Sequence, residues 1–151
     1  RYNTGPLFDL NAINKDVDQL ISDYRIKCSS LEQTVGMLSG GNIQKVVVAR
    51  EFSNRPEFII ADQPTRGIDV GATEFIRKKL VELSREGIGV LLISADLNEV
   101  MELSDSLIIM SGGKIAAYFE DTTGLSDLEM GRYMLGLARQ EDEEIRKVCY
   151  E

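Results

Sequence analysis

Two short apolar runs, residues 58–61 (FIIA) and 90–93 (VLLI), constrain the fold of this chain most. Each has the length of a strand and falls far short of the roughly 20 residues that a membrane-spanning helix needs. Between the runs, Ile76, Leu80 and Leu83 mark one face of a helix. A strand, a helix and a second strand in this order predict an α/β core with a parallel sheet. Continuous apolar strands further predict that both faces of the sheet are covered.

The other elements follow from periodicity and turn residues. The pattern predicts helices at residues 12–25, 44–52, 96–103 and 126–135, and a hairpin of strands at 106–110 and 114–119. Gly87 is placed to cap the helix between the two apolar runs. From Arg139 onward the chain is highly charged and is predicted to be a solvated tail.

Composition removes several classes of function. The 151 residues carry a net charge of −8 and contain no histidine. The negative charge opposes a broad nucleic-acid surface, and the lack of histidine excludes His metal sites and Ser-His-Asp triads. Cys28 and Cys149 have no metal-type spacing, so both are expected to be reduced thiols. No signal peptide is visible at the start of the sequence.

The most specific segment is residues 38–46 (LSGGNIQKV). Gly40 and Gly41 allow a phosphate to approach the backbone, because neither has a Cβ. Ser39 adds a hydroxyl, and the following helix points its positive N-terminal end at the same place. The alternative is a plain Ser-Gly-Gly linker before a helix.

A second segment, residues 58–69 (FIIADQPTRGID), delivers the carboxylate of Asp62 at the end of an apolar strand. This geometry is typical of a residue that holds Mg²⁺ near a nucleotide phosphate. Taken alone, the segment favours an ordinary capping or turn residue for Asp62.

Together, the two segments resemble the ABC ATPase family over about residues 24–120. Their order matches that family's signature motif, Walker B strand and D-loop. The resemblance implies a partial P-loop NTPase (RecA-like) core with a parallel sheet, plus the helical signature subdomain. It predicts part of the helical subdomain at 1–56, the second half of the core at 57–136 and the charged tail at 137–151.

Finer features are similar to one branch of the family. Residues 64–72 (PTRGIDVGA) look like the importers of simple sugars, whose ATPases carry two nucleotide-binding domains in one chain. Residues 62–64 (DQP), 94–97 (SADL) and 129–136 (EMGRYMLG) look most like the second of those domains in sugar or nucleoside importers.

Three departures from the family pattern bear on mechanism. No Walker A motif (GxxxxGK[S/T]) occurs in the sequence, so the chain is expected to be a fragment that starts after it. Gln63 stands at the catalytic Glu position and cannot accept the proton, a loss typically worth about 10²–10⁴-fold in rate. Ala95 stands at the switch His position and cannot contact a γ-phosphate.

The resemblance implies unequal roles in two ATP sites, each shared between two domains. The domain's own site, with Gln63 and Ala95, is expected to be degenerate, and Asp62 is expected to hold Mg²⁺ through water. Asp69 is assigned to the closing interface. The residues assigned to the partner domain's ATP are Ser39, Gly40, Gly41, Asn42 and Gln44.

ATP, Mg²⁺, a partner domain and membrane subunits are therefore expected for the full-length protein at the cytoplasmic face of a bacterial membrane. The chain alone is expected to bind ATP weakly, to be inactive, and to be oligomeric or rearranged because unpaired strand edges invite pairing. Two alternatives stay open: a non-transport ABC-type ATPase and a non-catalytic interaction module. A basic groove would favour the non-transport ATPase. An ATP-binding titration that shows no tight binding would favour the interaction module for the chain alone.

Overall fold

The computed structural model describes residues 3–4, 7–54 and 56–149. The strands are β1 (Asn3–Thr4), β2 (Leu7–Phe8), β3 (Phe58–Asp62), β4 (Gly89–Ile93), β5 (Leu107–Ser111) and β6 (Lys114–Phe119). The helices are α1 (Leu10–Asp23), α2 (Gly40–Phe52), α3 (Val70–Arg85), α4 (Leu97–Leu103), α5 (Asp127–Met134) and α6 (Asp142–Cys149), with a 3₁₀ turn at Val35–Met37.

The chain forms two compact units that meet between Ile93 and Ser94 in sequence. The strands of the described residues form three two-stranded sheets, β1–β2, β3–β4 and β5–β6. The predicted boundaries at 56/57 and 136/137 do not coincide with this division, and they stay a prediction.

In the first unit, β3 and β4 pair in parallel, with Phe58 opposite Gly89 and Asp62 opposite Ile93. The connection between them is α3, as the apolar spacing predicted. α3 packs against α2 and against β4. The buried apolar residues of this core are Val48, Ala49, Phe52, Ala61, Ala72, Ile76 and Leu80.

The prediction that β3 and β4 are covered on both faces is wrong for the described structure. Phe58 and Ile60 of β3 are 58% and 62% exposed, and Leu91 and Ile93 of β4 are 44% and 45% exposed. These four residues share one face, because alternate residues of a strand point to the same side. α3 packs against β4, and the face that carries these four residues is an exposed apolar surface instead of the predicted buried one.

Two helices of the first unit end in the same hydrogen-bonding pattern. After α3, Gly87 is left-handed (φ +90°), and the Ile88 N–H donates to the Leu83 carbonyl at 3.1 Å. This is a Schellman ending and confirms the predicted cap. After α1, Arg25 takes the left-handed position (φ +50°), and the Ile26 N–H donates to the Ile21 carbonyl at 2.9 Å. A non-glycine residue at that position is unusual because its Cβ crowds the backbone.

The second unit is built on the predicted hairpin. β5 and β6 pair antiparallel through a turn at Gly112 and Gly113, both with positive φ. Its core joins the hairpin to α5 through Ile109, Ala117 and Met130, which are 4% exposed or less.

The charged C-terminal stretch is helical rather than an extended solvated tail. Residues 142–149 form α6, and Ile145 on it is 8% exposed. Just before the helix, the Gln140 side chain accepts from the Tyr118 N–H at 2.8 Å and donates to its carbonyl at 3.0 Å. The charge of the segment does not predict this packing, because only one apolar residue, Ile145, and one amide, that of Gln140, place the segment against β6. Cys28 is a free thiol, and the side chain of Cys149 lies outside the described residues.

We expect Arg25→Gly to raise the free energy of unfolding by about 1 kcal/mol, because glycine accepts the left-handed backbone without a Cβ clash. Arg25→Ala removes the same side chain but keeps the Cβ, so it serves as the matched control and gives no such gain. Urea unfolding followed by circular dichroism measures both. Equal stability of the two variants would contradict the strain at this position.

Candidate functional site

The signature segment sits at the start of α2. Ser39 is the N-cap residue with an extended backbone (φ −65°, ψ 155°), and its hydroxyl makes no capping bond to the helix. Gly40 and Gly41 form the first residues of the helix, so the helix begins earlier than the predicted residue 44. The exposed Ser39 hydroxyl and the helix N-terminus thus lie together, as an anion site requires. Gln44 follows on the same helix and is half-buried.

Gly41 is buried at the point where α2 meets the start of α3. A Cβ at this position would lie 2.7 Å from Asp69 Oδ2 and 2.9 Å from Ala72 Cβ, closer than real contacts allow. Asp69 is also the N-cap of α3, since its Oδ1 accepts from the Ala72 N–H at 2.9 Å. The glycine therefore permits the predicted signature residue and the predicted interface residue Asp69 to pack directly.

Asp62 and Gln63 lie at the carboxyl end of β3. The Asp62 side chain is exposed, which leaves its carboxylate oxygens accessible to a hard cation. Gln63 has a left-handed backbone (φ +48°), and its N–H donates to the Ile93 carbonyl at 2.8 Å. Such a conformation in a non-glycine residue is sparsely populated and is held by its surroundings. This conformation could not be predicted from the residue type.

Ala95 belongs to the second unit and is exposed. It stands immediately before Asp96, the N-cap of α4, whose Oδ1 accepts from the Asn98 N–H at 3.0 Å. The Asp96 N–H in turn donates to Ser94 Oγ at 3.1 Å. The turn that carries Ala95 is therefore fixed locally by its two neighbours.

A cluster of aromatic and cationic side chains lies beside α2 and was not predicted from the sequence. The rings of Tyr24 and Phe75 meet edge to face at 6.2 Å, and Lys45 Nζ lies 5.1 Å from the centre of the Phe75 ring. Lys79 Nζ lies 5.6 Å from the Tyr24 ring. Burial raises the pKa of Tyr24 above its ordinary value, against the opposing charge of Lys79. The neutral ring therefore packs the end of α1 onto α3.

Within the part of the chain that the structure describes, acidic and thiol side chains form no group of three or more suited to a metal ion. Nor does any helix of that part have the length and apolar character needed to cross a membrane.

Comparisons with known proteins agree with this architecture. No protein-family model matches the chain. The ATP-binding cassette MJ0796, solved as a dimer bound to ADP and phosphate, superposes with a TM-score of 0.66 at 23% identity, over 82% of this chain and 52% of that one.

The chain has the fold of an ABC ATPase cassette.

Its relatives in sequence are ATP-binding proteins of import systems. The glucose import ATP-binding protein TsgD13 of Haloferax volcanii is 37% identical over 139 residues, which are 90% of this chain. The xylose import ATP-binding protein XylG of Geobacillus kaustophilus is 44% identical over 106 residues, or 70% of this chain. The chain spans about a quarter of the first relative and a fifth of the second, 25% and 21% of their lengths.

We expect Gly41→Ala to lower the free energy of unfolding by about 1–3 kcal/mol, because its Cβ overpacks the contact between α2 and α3. Gly40→Ala is the matched control in the same helical turn. The nearest atom to its Cβ is the Gly67 carbonyl oxygen at 3.9 Å, an ordinary contact. Denaturant titrations measure the free energy of unfolding of both variants. Equal losses would mean that the close approach at Gly41 does not contribute to stability.

Proposed function

We propose that this chain is part of the second nucleotide-binding domain of an ABC importer for a simple sugar or a nucleoside. One observation carries the proposal: nine tenths of the chain aligns with a glucose import ATP-binding protein at 37% identity. The names of other relatives, which include a guanosine import ATP-binding protein of Bacillus subtilis, support the same substrate range. In this proposal, other subunits of the transporter select the transported compound.

In this proposal, the N-terminus of α2 completes the ATP site of the partner domain. Ser39 supplies a hydroxyl, and Gly40 and Gly41 let the γ-phosphate approach the backbone N–H groups at the start of α2, because neither has a Cβ. Asp69 lies at the interface that closes over the two nucleotides. The direct packing of Asp69 against Gly41 supports a single rigid surface that both contacts the partner's nucleotide and forms the closing interface.

The domain's own ATP site is proposed to hydrolyse slowly or not at all. Gln63 can orient a water but cannot take its proton. The alanine at position 95 has no group that reaches a phosphate. Each of these two residues lacks a group that hydrolysis in the family pattern requires: Gln63 the general base and Ala95 the switch contact.

ATP and Mg²⁺ fit the residues present only in part. The exposed carboxylate of Asp62 offers oxygen ligands of the kind that Mg²⁺ prefers, directly or through water. The sequence holds no Walker A segment to cradle the phosphates. The bound nucleotide therefore requires residues from the rest of the full-length protein.

The proposed partners are a second nucleotide-binding domain and the membrane subunits of the importer. Membrane subunits would hold the protein at the cytoplasmic face of a bacterial membrane. No nucleic acid is expected, in keeping with the net charge of −8.

We expect Ser39→Ala in the full-length transporter to lower ATP-driven uptake about 10²-fold, the typical loss when a preorganised donor to developing charge is removed. Gln63→Asn is the comparison, because asparagine tolerates the left-handed backbone and changes only the reach of the amide. It should leave uptake close to the parent rate. Damage from Gln63→Asn as large as that from Ser39→Ala would overturn the asymmetric assignment.

The isolated chain is proposed to self-associate through the apolar face of β3 and β4, whose residues are too exposed for a stable monomer surface. We expect Ile60→Lys on that face to shift size-exclusion and light-scattering profiles toward monomer. Leu128→Lys, at a residue 79% exposed in the second unit, is the control and should change little. A clean monomer for the parent chain would contradict the proposal.

A further inference from the structure

Two side chains of α2, those of Asn42 and Lys45, bind the short segment of residues 25–27 to this helix. The Lys27 N–H donates to Asn42 Oδ1 at 2.9 Å. Lys45, three residues further along the helix, donates from Nζ to the Arg25 carbonyl at 3.2 Å.

The Asn42 amide bridges from this segment to the signature serine. Its Nδ2 donates to Ser39 Oγ at 2.9 Å. Asn42 is half-buried and lies inward of the exposed serine. The assignment of the amide's two ends is fixed by chemistry, because the Lys27 N–H can only donate and so must face the carbonyl oxygen.

We propose that Asn42 is a positioning residue that sets the direction of the Ser39 hydroxyl, rather than a direct ligand of ATP. This inference rests on the proposed function of the signature in the partner's ATP site. Because Nδ2 donates to Ser39 Oγ, it occupies a lone pair of the serine oxygen. The serine proton is then left to point away from Asn42, where it donates to a phosphate oxygen.

The segment that fixes Asn42 is itself held on several sides. Arg25 ends α1 in a left-handed backbone, and the preceding Tyr24 packs against Phe75 on α3. Lys45 lies over that same Phe75 ring at 5.1 Å while it bonds Arg25. The Lys27 N–H is therefore a fixed donor, and a fixed donor is what the orientation of the Asn42 amide requires.

The test is a double-mutant cycle in the full-length protein, with ATP hydrolysis and amide hydrogen exchange as the two readouts. We expect Ser39→Ala to lower turnover about 10²-fold and Asn42→Ala to lower it about tenfold, the loss expected from misorienting one donor. In the Ser39→Ala background, Asn42→Ala should cause no further loss. Exchange of the Lys27 amide should accelerate about tenfold or more in Asn42→Ala, because its acceptor is gone.

Two further variants separate orientation from general damage. Asn42→Asp keeps an acceptor for Lys27 but replaces the donor to Ser39, so Lys27 protection should persist while turnover falls. Asn54→Ala removes an exposed amide just beyond the same helix, whose Nδ2 lies 3.4 Å from the Arg50 carbonyl, and should change neither readout.

The outcomes distinguish this inference from the function on which it rests. Unchanged Lys27 exchange in Asn42→Ala would overturn the bridge, as would an equal loss of turnover from Asn42→Ala with and without Ser39. Altered Lys27 exchange together with full turnover in Ser39→Ala would support the bridge and overturn the proposed role of the signature.

Discussion

The packing of Gly41 against Asp69 and Ala72 is the contact on which the rest of the candidate site depends. It brings the N-terminus of α2 onto the start of α3 with no side chain between them. Asp69 stabilises this arrangement twice, since it caps α3 with one oxygen and faces Gly41 with the other. The signature segment is thereby fixed to the element that follows Walker B in the ABC ATPase fold, and both are positioned by a single helix contact.

Around that contact, the first unit uses long-range polar bonds to fix short segments. Lys27 and Asn42 are separated by 15 positions in sequence, and Arg25 and Lys45 by 20. Each bond joins the end of α1 to α2, and the Tyr24–Phe75 pair joins it to α3. The segment after α1 is therefore linked to the Ser39 hydroxyl through the Lys27 N–H and the Asn42 amide.

Much of the fold could be predicted because it follows local rules. The strand–helix–strand order, the Gly87 cap and the hairpin at Gly112-Gly113 all arise from periodicity or from residues that permit one backbone conformation. Burial could not be predicted in the same way. Phe58 and Ile60 have the composition of covered strands, yet burial depends on what packs against the sheet, and the described chain leaves their face exposed.

The candidate site could likewise be predicted only in part. Ser39, Gly41, Asp62 and Asp69 could be proposed as site residues because their types and order match a motif, and their roles stay a prediction. The bond from Asn42 to Lys27 could not, since it joins a side chain to a backbone group far away in sequence. The left-handed backbone of Gln63 was equally hidden, because its cause is the fixed end of β3 beside Ile93 rather than its residue type.

The proposed function requires one ATP site of the full-length protein to be competent and the site that contains Gln63 to hydrolyse slowly or not at all. Single-turnover hydrolysis with enzyme in excess, after closure on two ATP molecules, tests it most directly. Half of the bound ATP is expected to be hydrolysed rapidly, and the half in the site that contains Gln63 is expected to persist. A single rapid phase that consumes all of the bound ATP would contradict the claim.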